Sequence, residues 1–189
     1  MKALALLLTP LVFTLATNEP MVTYKTDNAH SSFTIEGTST LHDWEMSVED
    51  YTGTIDVDVT ADEVSINNLK LNVPVKGLKS GKSPMDNNAH KALKADDHKN
   101  ISFVFKRAKS VTKSTLGYTE VQAEGALTIA GKTLTVDVPI KVYTKDAGIS
   151  LKGETSLKMS EFGVEPPTFM FGSVTTGDKI TIKFNINYN

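Results

Sequence analysis

The last strand-like run of the chain reads ITIKFNINY, with Ile180, Ile182, Phe184, Ile186 and Tyr188 on one parity and Thr181, Lys183, Asn185 and Asn187 on the other. A two-residue period places alternate side chains on opposite faces of an extended strand, one face apolar and one polar. The same pattern returns with Val136, Val138, Ile140 and Val142 against Asp137 and Lys141, and with Leu69, Leu71, Val73 and Val75 against Lys70, Asn72 and Lys76. Shorter copies stand at Phe33 and Ile35, at Ile55, Val57 and Val59, at Ile101, Phe103 and Phe105, and at Leu127 and Ile129. Glycines in Ala130-Gly131-Lys132, Asp146-Ala147-Gly148 and Thr176-Gly177-Asp178 read as hairpin turns between such runs. Roughly eight strands result, several of ten residues or more, with no spacing for parallel βαβ units. Strands with one apolar face must bury it against a second sheet or by closing into a barrel.

Two segments break the alternation. Ser83 to Asp97 reads SPMDNNAHKALKADD, with Ser83 as N-cap, Pro84 at the first helical position and Asp86 three residues after the cap. Met85, Ala89, Ala92 and Leu93 then form one helical stripe. Ser160-Glu161-Phe162-Gly163, followed by Pro166-Pro167, reads as a non-strand connection with room for a single helical turn.

Long strands tilted by about 40° in a closed barrel enclose an elongated interior. Alternation alone leaves two readings of that interior: a core filled by its own side chains, or a tube for a long apolar ligand. It also leaves open which face is inside. An outer-membrane barrel would turn the apolar face outward, but no paired aromatic girdles are present and the chain ends on Asn189 rather than an aromatic residue.

The remaining composition narrows the functional classes. Met1 to Ala16, MKALALLLTPLVFTLA, has a basic start, an apolar run shorter than a transmembrane span and a small-x-small end at Thr14-Leu15-Ala16; it is predicted to be a cleaved secretory signal. Residues 17–189 then form one predicted domain, exported to a periplasm. The 189-residue chain has no cysteine, which removes thiol nucleophiles, disulfides and thiolate metal sites together. With 20 Lys+Arg against 22 Asp+Glu it has no basic surplus for a nucleic-acid backbone.

Four stretches occur in order: YKTDNAHSSFTIEGTSTLHDW (Tyr24 to Trp44), MDNNAHKALKADDHKNISF (Met85 to Phe103), ALTIAGKTLTVDVPIKV (Ala126 to Val142), and the Phe162-Gly163 step leading to GSVTTGDKITIKFNI (Gly172 to Ile186). Together they resemble the YceI-like proteins, a periplasmic polyisoprenoid-binding group. One departure is His98-Lys99-Asn100, where the family usually carries a Tyr-Pro or His-Pro pair. The resemblance implies an all-β, extended, antiparallel, eight-stranded lipocalin-like barrel with one short inserted helix. It implies an interior that holds an isoprenoid chain, as a polyprenyl phosphate or an isoprenoid quinone, and no catalytic machinery or cofactor. A soluble protein without membrane insertion is expected, with homodimerisation left open.

On that reading the candidate ligand wall comprises Phe33, Ile35, Leu71, Val73, Phe103, Phe105, Ile182 and Phe184, with Phe169 and Phe171 beyond the double proline. Each suits plain core packing equally. His90, Lys91 and Lys94 on the helix are candidates for a head group. His42 and Trp44 share a parity in GTSTLHDWEM, yet counting by twos from Phe33 and Ile35 leads to Asp43. Either a bulge near Gly37 or a strand end before Leu41 resolves this, and both place His42 and Trp44 at a barrel rim. There the indole either plugs the barrel or touches the ligand. His42, His90 and His98 have acids nearby but no metal-ligand spacing. Adjacent His42 and Asp43 would point to opposite faces, and no GxSxG elbow exists, so neither a metal site nor a hydrolase is expected.

Overall fold

The computed structural model describes residues 22–60, 64–145 and 148–189. The predicted signal at residues 1–16 and part of the predicted turn Asp146-Ala147-Gly148 lie outside the described residues.

Eight antiparallel strands close into a barrel: β1 (Val22–Ser39), β3 (Thr52–Val59), β4 (Val64–Pro74), β6 (Asn100–Lys113), β7 (Thr119–Ile129), β8 (Lys132–Lys145), β9 (Gly148–Lys158) and β11 (Val174–Tyr188). The closing seam pairs β1 with β11, from Thr26 opposite Tyr188 to Ser39 opposite Thr176. Three short strands decorate one end: β2 (Trp44–Val48), β5 (Leu78–Lys79) and β10 (Thr168–Phe169). A single helix, α1 (Ser83–Ala92), follows β5. This is the lipocalin-like barrel with one short helix that the resemblance implies.

The apolar parity faces inward. Ile55, Val121, Val142, Leu151, Ile186 and Tyr188 are buried, while Lys141, Lys152 and Lys183 of the opposite parity are exposed. That is the reverse of the outer-membrane arrangement. No helix among the described residues is long and apolar enough to cross a membrane.

β1 changes partner half-way along. Its first part, Val22 to Lys25, pairs with β3, and its last part, Thr34 to Gly37, pairs with β2. β2 in turn pairs with β5. The barrel therefore splays at the end where β1 finishes, and α1 stands against the short β5 on that side.

Several local features differ from the sequence reading. The helix stops at Ala92 rather than Asp97, because Leu93 caps it and Lys94 takes a left-handed conformation. Lys82, not Ser83, is the N-cap residue. Asp86 does not close a capping box; its carboxylate accepts hydrogen bonds from the Ser80 amide and hydroxyl at 2.7 and 2.6 Å. Burial works against charge on Asp86, but those bonds, with Lys79 and His90 nearby, outweigh it and hold the carboxyl below its usual range.

Thr176-Gly177-Asp178 is not a hairpin turn. These residues lie inside β11, at the register shift where Thr176 is opposite Ser39 of β1 and just before the ladder with β9 begins at Lys179, and Gly177 is not among the glycines with positive φ. Ala130-Gly131 does turn, with φ of 48° and 82°, the primed-turn geometry suited to a tight hairpin. The Ser160 connection forms a single 3-10 turn, Met159–Phe162, ended by a left-handed Gly163.

Candidate functional site

Two buried clusters divide the barrel. The larger fills the end where β3 meets β4, β6 meets β7, and β11 finishes, with Ile55, Val57, Ile66, Val121, Val142 and Tyr188 in it. The smaller sits at the opposite end and packs Leu127, Ile129, Leu157 and Ile180 around Phe162 and Val164 of the 3-10 connection. Between and beside them lies a cavity of about 630 Å³. That size is within the roughly 300–1,000 Å³ of ordinary small-molecule sites.

The wall is almost wholly apolar. Phe33 and Ile35 of β1, Leu71 and Val73 of β4, Ile101 and Phe103 of β6, and Ile182 and Phe184 of β11 all line it. All of these but Val73 point inward yet remain only partly buried, because they face empty volume rather than other side chains. Tyr188 forms part of the floor; its phenol is only 1% exposed, and burial pushes its pKa well above the usual value. Phe33 meets Tyr51 edge-on at 5.6 Å between ring centroids.

Three inward-facing glycines make the hollow possible. A Cβ on Gly37 would collide with the Trp44 indole, one on Gly125 with the Phe103 ring, and one on Gly153 with the Phe184 ring. Gly37 pairs directly with Trp44, and Gly153 with Phe184. In each case the missing side chain lets an aromatic ring lie across the neighbouring strand instead of projecting toward the barrel axis. The sequence reading treated glycine as turn punctuation and missed this role. A glycine at inward parity inside a strand was the available signal.

Trp44 sits at the rim for both of the reasons considered. β1 ends at Ser39, before Leu41, and the β1–β11 register also shifts between Gly37 and Ser39. The turn from Thr40 to Asp43 is tied by the Ser39 hydroxyl, which donates to the His42 carbonyl at 2.7 Å and accepts from the His42 amide at 3.2 Å. The Trp44 indole N–H donates to the Thr38 carbonyl at 3.0 Å. Trp44 and His42 both border the cavity, and Leu41 beside them is 68% exposed.

Phe169 lines the cavity from β10. Phe171 does not: it lies in a 3-10 turn with φ 55° and ψ 37°, and its side chain is fully exposed. The tight turn breaks the alternation that would have returned it to the wall. Phe105 is also off the cavity wall; it packs against the larger cluster, just before a register shift that separates it from Arg107.

On the helix, the inward stripe is Met85, Ala89, Ala92 and Leu93, as the periodicity requires, and all four border the cavity. Lys82, Pro84 and Asn88 join them. His90, Lys91 and Lys94 do not. The His90 ring is instead half-buried, with Nε2 3.1 Å from the Leu78 carbonyl, holding helix to strand. The rim cation is thus Lys82, three residues before Met85 and on the same helical face. Extending the apolar period backward by three would have found it.

The other rim anchor is Asp178. It accepts the Ser160 hydroxyl at 2.6 Å and the Ser160 amide at 2.8 Å, which fixes the connection carrying Phe162 and Val164. These bonds hold its carboxyl below the usual range. Among the described residues no group of acidic and histidine side chains is placed to hold a metal ion.

The family model of the YceI-like domain matches residues 24–188. The fold is similar to that of BcnA from Burkholderia cenocepacia, with a TM-score of 0.69 and 20% identity, covering 86% of this chain and 98% of that one. It is also similar to a polyisoprenoid binding domain from Saccharophagus degradans implicated in plant cell wall breakdown, with a TM-score of 0.69 and 12% identity, covering 88% and 97%. The YCEI protein of Campylobacter jejuni aligns with a TM-score of 0.58 and 19% identity over 75% and 82%. A search of curated protein sequences found no significant match.

Proposed function

The chain belongs to the YceI-like family, and from that premise we propose that it binds a long isoprenoid lipid, a polyprenyl phosphate or isoprenoid quinone, in the hollow part of its barrel. The observation that carries this reading is the set of inward-facing apolar residues left partly uncovered around the cavity. Apolar surface left bare inside a barrel is stabilised when a chain covers it, by about 25 cal/mol per Å² removed from water. Phe33, Ile35, Leu71, Val73, Phe103, Ile182 and Phe184 would hold the chain, with Trp44 and Phe169 at the rim. His42 and Lys82 are the polar groups that a head group would meet there. The description of the Saccharophagus degradans domain as polyisoprenoid binding supports the ligand class.

The protein acts on this reading as a carrier or store rather than an enzyme, in the periplasm to which the signal-like residues 1–16 would deliver it. The test is mass spectrometry of the organic extract from protein purified out of its native periplasm without detergent. A stoichiometric polyprenyl species is expected. A clean extract, together with no change in Trp44 fluorescence when polyprenyl lipid or quinone is added, would overturn the proposal.

A further inference from the structure

The ladder between β8 and β9 runs from Lys145 opposite Gly148 to Ile140 opposite Gly153, and there it stops. Both strands continue: β8 begins at Lys132 and β9 extends to Lys158. Neither frays, since β8 stays paired with β7 as far as Lys132 and β9 with β11 as far as Lys158. The wall therefore parts between two intact strands. Among the described residues one hydrogen bond crosses the parting, from the Thr155 hydroxyl to the Asp137 carbonyl at 3.4 Å.

The fork has a cause in two residues. Pro139 has no N–H to give to a ladder and is tolerated where a strand edge is free. Gly153 stands beside it, where the Pro139 carbonyl and the Phe184 ring occupy the space a Cβ would need. Continuing the register past the fork would set Asp137 opposite Ser156.

The cavity reaches the parting. Val136, Val138, Thr155 and Leu157, of inward parity, border it, and so do Asp137 and Ser156, whose parity is outward. With the ladder ended, the cavity reaches these two residues between the strands. At the adjacent barrel end, Phe162 and Val164 are buried in the smaller cluster, so the axial route over β7 and β9 is blocked. On the side of β5, α1 lays its cavity-facing stripe against the cavity. Among the described residues the β8–β9 parting has no such cover.

We propose that this parted seam is a lateral portal through which a long-chain amphiphile passes sideways into the barrel. The chain slides between the strands toward Phe184 and Leu157, while its polar end passes the Thr155 and Ser156 hydroxyls and the Lys109 ammonium, which the Asp137 carboxylate holds at 2.6 Å. The seam edges suit an amphiphile because they present unladdered backbone groups and hydroxyls directly beside apolar wall. This inference rests on the isoprenoid-binding reading above.

The chain lacks cysteine, so a double variant, Asp137→Cys with Ser156→Cys, carries the only thiols. A short bis-methanethiosulfonate linker joins them across the seam, and dithiothreitol releases them. Lipid-free protein is mixed with phosphatidylcholine vesicles containing a polyprenyl quinone, and loading is followed by quenching of Trp44. Linking is expected to slow loading at least tenfold, with full recovery on reduction. Linking Glu120→Cys to Lys141→Cys, which face each other across the fully paired β7–β8 seam, leaves the rate unchanged. The variant Ser156→Phe needs no thiol chemistry and is expected to slow loading several-fold. Loading at the unlinked rate in fully linked protein, with Ser156→Phe also at the parent rate, overturns the portal. Failure of the unlinked parent to load at all overturns the isoprenoid-binding reading, and the portal with it.

Discussion

The two halves of this barrel are made from the same strands with the same alternation, yet one is packed solid and the other is hollow. In the solid half the inward positions carry Ile55, Val57, Ile66, Val121 and Val142, which meet across the axis and exclude solvent. In the hollow half the inward positions include Gly37, Gly125 and Gly153, and the large neighbours Trp44, Phe103 and Phe184 lie flat over them. Both halves have apolar inner faces. What differs is where the side-chain volume sits: branched residues project toward the axis, whereas a ring seated on a glycine stays against the wall.

Removing volume should separate the halves most sharply. Ile55→Ala, at a site with no exposed surface, is expected to cost about 2–5 kcal/mol through lost burial and a new cavity. Leu71→Ala, on the hollow wall, is expected to cost roughly 1 kcal/mol in lipid-free protein, because its outer atoms already face a void. Urea unfolding of both variants checks this, and equal losses would break the comparison.

Adding volume should act in the opposite place. Gly37→Val evicts the Trp44 indole from its seat and is expected to cost about 1–3 kcal/mol, with a red shift of tryptophan emission. Since Trp44 is the only tryptophan, the emission reports this site alone. An unshifted spectrum would show that the indole does not depend on the glycine.

The helix tests the cover over the splayed side. Leu93→Asp puts a charge on the cavity-facing stripe and should speed lipid release several-fold while the solid half keeps the barrel folded. Circular dichroism and a release assay read the two effects separately. Retention equal to the parent in a folded variant would remove the helix from the comparison.

Acid should loosen the hollow end first. The folded pKa of Asp178 is depressed by the Ser160 bonds, so its contribution is present above the ordinary carboxylate value, about 3.9, and is lost as pH falls through the lower folded value. Amide exchange at Ser160 and Phe162 should therefore quicken below about pH 4, while Val121 and Val142 stay protected. Asp178→Asn should flatten that dependence. The smallest effect is expected from Phe171→Ser, within about 0.5 kcal/mol, because the ring touches solvent only; a larger loss in thermal unfolding would place Phe171 in a contact the fold does not reveal.

Much of this architecture was legible in the amino-acid order. The alternation of Leu69 to Val75, Val136 to Val142 and Ile180 to Tyr188 specified strands and their apolar faces, and the stripe of Met85, Ala89, Ala92 and Leu93 specified the apolar side of the helix. Thr176-Gly177-Asp178 misled because the glycine sits at a register shift inside β11, between the Ser39–Thr176 pair and the ladder that starts at Lys179, rather than at a chain reversal. Phe171 misled because alternation was carried through a turn with positive φ. His90, Lys91 and Lys94 were nominated by charge, whereas the helix rotation that the apolar stripe dictates brings Lys82 to the cavity instead.

By itself the sequence determined that this chain forms long antiparallel strands with one apolar face, and that one helix joins them, because local periodicity is a property of neighbouring residues. Only the tertiary structure decided that one half is solid and the other hollow, and that the β8–β9 seam parts at Pro139. Those outcomes depend on which side chains face each other across the barrel and on which edges find partners, and such pairings exist only once distant strands have been brought together.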